Sequence, residues 1–169
     1  MSATVVRASD AENLDRGAGR RLRLVIDAAA TDQQLSALEC AVPAGSSGPP
    51  LHVHPGTDEL FLVQEGTLLL HADGVTSHLG PGDAAFVPRG TPHTFASTPA
   101  DAVRFLTLHT PGGFEQMHRD VHAAERAAGR PLSPADIIPI AARHDWTLAG
   151  PPLLPSGELA NPAAAGRLA

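Results

Sequence analysis

Over the first 110 residues, apolar and polar positions come in short runs cut by turn residues, the pattern of strands in an all-β domain. Residues 21–26 alternate, with Arg21 and Arg23 expected in solvent. Residues 35–42 alternate too, with Ala37 and Glu39 on one face and Leu38, Cys40 and Val42 on the other. Val5 and Val6 suggest a short first strand, and residues 44–50 read as a loop delivering the chain to a strand at His52. Further runs begin at Glu59, Thr67, Ser77, Ala84, His93 and Val103, and Asp73-Gly74 marks a hairpin. About nine strands at regular spacing predict a jelly roll. Leu68, Leu69 and Leu70 put apolar side chains on both faces of their strand, so a second sheet or a partner subunit is expected to cover each.

The period changes after residue 110. Phe114, Met117, Val121 and Ala124 or Ala128 form a helical stripe that Gly129 stops. Ser133-Pro134 reads as the cap and first position of a second helix, with Ile137, Ile140 and Ala141 inward and Pro139 limiting its length. Trp146, Pro151, Leu153 and Leu154 are expected to pack back on the strands. The boundaries drawn are 1–111 for the barrel, 112–154 for the helical extension and 155–169 for a flexible tail.

Composition narrows the functional classes. The net charge of −6, with no block of Lys or Arg, argues against nucleic acid or an anionic membrane as partner. Five Phe, one Trp and no Tyr leave no stacking platform for bases. One cysteine, Cys40, excludes an intramolecular disulfide and reads as a small buried apolar side chain. Neither a secretory signal nor a membrane-length apolar segment is apparent, so a soluble cytoplasmic protein is expected.

The chemistry concentrates at His52-Val53-His54. Residues two apart on a strand share a face, so both imidazoles point the same way. Pro55 and Gly56 turn the chain, and Glu59 opens the next strand. Two imidazoles and a carboxylate suit zinc, iron, nickel, manganese, cobalt or copper.

Two stretches then carry a family resemblance. His52-x-His54, four residues, Glu59, six residues and Gly66 resemble the first signature of the cupin superfamily. Gly82, five residues, Pro88-x-Gly90, two residues and His93 resemble the second. Two positions depart: the leading Gly of the first signature is displaced to Gly48 or Gly45, and Ser97 stands where Asn often closes the second. Neither is a metal ligand in cupins. The resemblance implies a cupin jelly-roll β-barrel holding one divalent metal on His52, His54, Glu59 and His93. It also implies open coordination positions for a substrate. The pattern from Thr110 to Glu115, and Gly150-Pro151-Pro152 near the end, is similar to single-domain bacterial cupins grouped with quercetin 2,3-dioxygenase.

On that resemblance, the expected activity is a metal-dependent dioxygenase. It would use O2 on a flavonol-like or polyketide-like aromatic or enolic small molecule, with Glu59 as ligand and catalytic base. A non-redox cyclase, isomerase or lyase, and a small-molecule binding cupin without turnover, stand as alternatives. Phe61 and Phe95 each lie two residues from a ligand, on its face, and are equally suited to packing substrate and to filling core. His118 and His122, spaced i, i+4, are read as a solvated helix face, His71 and His78 as exposed, and His109 as a polar strand end. Cupin habit and the two-sided Leu68–Leu70 run suggest a homodimer.

Overall fold

The computed structural model describes residues 3–17 and 19–161. It is all-β with two short α-helices, and among the described residues ten strands precede the first of these. In chain order these are β1 (Glu12–Asn13), β2 (Arg21–Ile26), β3 (Ser36–Val42), β4 (Pro50–Val53), β5 (Asp58–Glu65), β6 (Leu68–Ala72), β7 (Val75–Leu79), β8 (Ala84–Val87), β9 (His93–Ser97) and β10 (Val103–Thr110). Helices α1 (Glu115–Ala128) and α2 (Pro134–Ala141) follow, then β11 (Thr147–Pro152). Val5 and Val6 form no strand and are exposed.

The strands make two sheets, ordered β1-β2-β3-β10-β5-β8 and β11-β4-β9-β6-β7, every pairing antiparallel. They are two separate ladders facing one another rather than one closed barrel. Alternation explains what fills the space between. Glu59, Phe61 and Val63 of β5 are buried, as are Val103, Phe105, Thr107 and His109 of β10. Leu68 and Leu70 of β6 join Phe61, Val63 and Phe105 in this core. Burying one such side chain contributes about 1.5–3 kcal/mol. The opposite face of β3 and β10 carries charge: Glu39 bonds Arg23 at 3.1 Å and Arg104 at 3.2 Å.

Gly66 turns the chain from β5 to β6 with a φ of 73°. A Cβ there would meet the Ala102 carbonyl oxygen at 2.0 Å, so conformation and space both demand glycine.

Leu69 faces away from the core, and its cover comes from the same chain. Leu153 and Ala96 bury it, with Leu159 packed against them. The two-sided apolar run therefore supplies no argument for a partner subunit. Residues 155–161, expected in a flexible tail, turn back: the Leu154 N–H donates to the Glu158 carbonyl at 2.8 Å, and Leu153 bridges Leu159. The apolar reach of Leu159 explains this; the rest of that stretch lies outside the described residues.

Ser133 caps α2 in a reciprocal capping box with Asp136, and Pro134 occupies the first turn. Phe114, Met117, Val121, Ala141 and Trp146 bury one another between the helices and the strands. β11 was not anticipated from the sequence, because Pro151 and Pro152 argue against a strand. Its place at the edge of the second sheet, beside β4, tolerates them.

Candidate metal centre

Four elements converge on one point. His52 on β4 stands directly opposite His93 on β9. Glu59 on β5 stands opposite His109 on β10. His54 follows β4 immediately, and its carbonyl accepts the Gly90 N–H at 2.9 Å, which ties it to the turn before β9. One donor atom from each of His52, His54, Glu59 and His93 lies within 4.8 Å of the others, and all four residues are buried.

Each imidazole is oriented by a backbone carbonyl. His52 Nδ1 reaches the Pro50 carbonyl at 2.8 Å, and His93 Nδ1 the Thr91 carbonyl at 2.9 Å. His54 Nδ1 bonds the Asp145 carbonyl. A carbonyl only accepts, so each Nδ1 carries a proton, which leaves the Nε2 of neutral His52 and His54 with its lone pair. This is the arrangement that directs ligating imidazoles. His93 Nε2 lies 3.0 Å, and His54 Nε2 3.6 Å, from Glu59 Oε2. His54 Nε2 is buried without a hydrogen-bond partner. An orphaned buried acceptor is costly, and three imidazoles with one carboxylate suit a divalent metal. The donor set fits the group that the spacing suggested.

Electrostatics agree with that chemistry. Burial, then His93 and His54, push the His52 pKa down to about 3, and burial also lowers His54. Both rings stay neutral and ready to coordinate. Burial would lower His93 as well, but its bond to Glu59 outweighs this and raises it. Burial would raise Glu59, yet His109 and His93 together hold its carboxyl well below the usual range.

Three neighbours escaped the sequence reading. His109 is 1% exposed, with Nε2 3.3 Å from Glu59 Oε1. It is no polar strand end: it continues the inward set Val103, Phe105, Thr107, a period-two signal that Leu106 and Leu108 on the other face obscured. His118 is half-buried, and its Nδ1 accepts from Arg16 at 2.7 Å. It falls on the stripe of Phe114, Met117 and Val121, which the i, i+4 pairing with His122 masked. His122 Nδ1 bonds the Asp15 carbonyl instead, so the two histidines serve different partners. Asp145 clamps the turn after β4, since its carboxylate also accepts the Gly56 N–H at 2.9 Å. Beside it, Trp146 stacks on His52 at 5.5 Å with 21° between planes.

A cavity of about 440 Å³ opens from this cluster. Phe61, Phe95, Phe114, Met117 and Trp146 form much of its apolar wall. Phe61 is fully buried in the core and also lines the cavity; Phe95 is half-buried and lines the same space. The Cys40 thiol lines it too, its pKa raised by burial, and stays protonated.

Comparison with known proteins agrees with this picture. Residues 38–109 match the family model described as "Cupin domain". "Oxidoreductase iacF" of Pestalotiopsis fici is 43% identical over 60 residues, 35% of this chain and 29% of that one. "Quercetin 2,3-dioxygenase" of Bacillus subtilis is 50% identical over 46 residues, 27% of this chain and 14% of that one. The matched stretches thus span less than a third of the length of these curated relatives. Among solved structures, the polyketide cyclase RemF of Streptomyces resistomycificus superposes with a TM-score of 0.54 at 29% identity, covering 64% of this chain and 80% of that one. With the two-sheet architecture and both signature stretches in place, residues 38–109 are a cupin domain.

Proposed function

We propose that His52, His54, Glu59 and His93 hold one divalent transition metal and that the chain is a metal-dependent oxidoreductase. Its reaction is dioxygenation of a flavonol-like or polyketide-like aromatic or enolic small molecule. The observation that carries this is the set of three imidazoles anchored through Nδ1, with Nε2 directed toward a buried carboxylate. The oxidoreductase and quercetin dioxygenase relatives support the reaction class. A bound metal would supply a Lewis-acid centre and an open position for a substrate oxygen.

This chain's residues do the rest. Phe61 and Phe95 pack the ring system. Glu59, held ionised by His109 and His93, accepts the proton of the substrate hydroxyl. Trp146 and the Asp145 carbonyl fix His52 and His54. Non-redox cyclisation is the second reading, and the likeness to RemF favours it.

Elemental analysis paired with oxygen uptake on flavonols and polyketide-like phenols tests the proposal. About one metal per chain with oxygen consumption is the expected result. Substrate conversion without oxygen uptake would establish the cyclase reading, and metal without any turnover a binding protein. Glu59→Gln should lower turnover far more than metal content; equal loss of both would remove the base role. A homodimer is proposed from family habit alone, and sedimentation equilibrium decides it. Among the described residues, no helix is long and apolar enough to cross a membrane.

A further inference from the structure

The cavity has a second polar region besides the histidine cluster. Arg16 and Arg20, from the segment between β1 and β2, both line it. Among the described residues, neither takes part in an ion pair. Arg16 Nε is buried with no hydrogen-bond partner, and the guanidinium donates through Nη2 to His118, a neutral acceptor. Arg20 donates to the Ser47 carbonyl. The other charged groups on the cavity wall are Arg21, Glu59 and Glu125. Arg21 is exposed at the rim, and Glu59 belongs to the histidine cluster. Glu125 attracts Arg16 at a distance, but its carboxylate accepts the Leu132 N–H at 3.1 Å.

A half-buried guanidinium whose Nε is buried without a partner and that has no carboxylate in contact is unfavourable, and burial lowers the Arg16 pKa to about 10. A guanidinium presents five donors in a planar fork that matches a carboxylate, and here much of that fork is unused. Phe114 stands edge-on to both ends: its ring is 4.3 Å from His54 and 5.4 Å from His118. The wall joining them is aromatic.

The geometry points to Arg16, supported by Arg20, as the binding site for a carboxylate on the substrate, whose other end faces His52, His54, Glu59 and His93. The substrate is then an aromatic acid rather than a neutral flavonol. This rests on the proposed metal site for the orientation of the molecule and not for the role of Arg16.

The test uses 3-hydroxyflavone and its 4′-carboxy derivative, titrated by flavonol fluorescence into zinc-loaded and EDTA-treated protein. The wild type should bind the carboxylate at least about tenfold tighter, the worth of one charge-assisted hydrogen bond. Arg16→Gln should bind both alike, and Arg16→Lys should keep part of the preference. Zinc content should not change in either variant, and Arg16→Lys, which keeps a cationic donor at this place, controls for the hydrogen bond to His118. A wild type without the preference, or an Arg16→Gln protein that retains it, would overturn the assignment. Preference persisting while zinc neither binds nor affects either ligand would support Arg16 and overturn the proposed metal chemistry.

Discussion

Acid should weaken the metal-free protein through His52. The folded ring stays neutral down to about pH 3, because burial and then His93 and His54 oppose its charge. In the unfolded chain the same ring titrates near 6.5. The folded value is depressed, so the unfolded state binds the extra proton between pH ~6.5 and ~3, and stability falls as pH falls through that window. One pH unit inside it corresponds to about 1.4 kcal/mol, so lowering pH from ~6.5 to ~5 should cost about 2 kcal/mol. His93 has the opposite sign: its folded value is raised, its stabilisation is complete below ~6.5, and it is lost as pH rises above that. It is therefore flat across the acid window and does not offset His52. Urea unfolding of EDTA-treated wild type and His52→Gln at pH 6.5, 5.75 and 5 measures the effect. The wild type should lose about 2 kcal/mol more than the variant over this range. Parallel stability profiles would refute the reasoning, since they would mean that His52 titrates at an ordinary value in the folded protein.

Three other perturbations follow from the packing. Gly48→Ala puts a Cβ 1.5 Å from the Phe95 carbonyl oxygen, so the loop feeding β4 must shift; about 1–3 kcal/mol of stability and part of the metal content should be lost, by denaturation and elemental analysis, and an unchanged protein would refute the close approach. Leu153→Ala should cost about 3 kcal/mol in urea unfolding, because fully buried Leu153 covers Leu69; a cost under ~1 kcal/mol would show that β6 is covered by something else. Glu115→Gln should cost about 1–2 kcal/mol, since the two carboxylate oxygens accept the Ala28 N–H at 3.2 Å and the Gly113 N–H at 2.9 Å, and an amide has one acceptor; thermal melting measures it, and an unshifted melt would count against the anchor.

Most strands, both helices and the four clustered residues were legible because each had a local cause. His52 and His54 obey strand periodicity, Glu59 follows a Pro-Gly turn, and Ser133-Pro134 announces its own helix. What stayed hidden depended on distant partners. His109 was disguised because β10 is apolar on both faces. His118 was disguised because a paired-histidine spacing competed with a helical stripe that already contained it. β11 carries two prolines, and only its edge position, a property of the sheet and not of the segment, makes it a strand. The covering of Leu69 by Leu153 is a contact across most of the chain that no local pattern announces.

The three carbonyls that orient the histidines differ in kind. Pro50 and Thr91 lie two residues before the rings they hold, whereas Asp145 lies 91 residues after His54. His52 and His93 thus carry their orienting carbonyl within their own local segment. His54 depends on a carbonyl 91 residues further on, and the Trp146 wall against His52 comes from the same late segment. The sheets and the cluster are therefore completed by the same late segment, since β11 also pairs with β4. The orientation of the third imidazole is thereby tied to the segment that carries Asp145 and Trp146, so a lesion there would reach the cluster without touching any of its four residues.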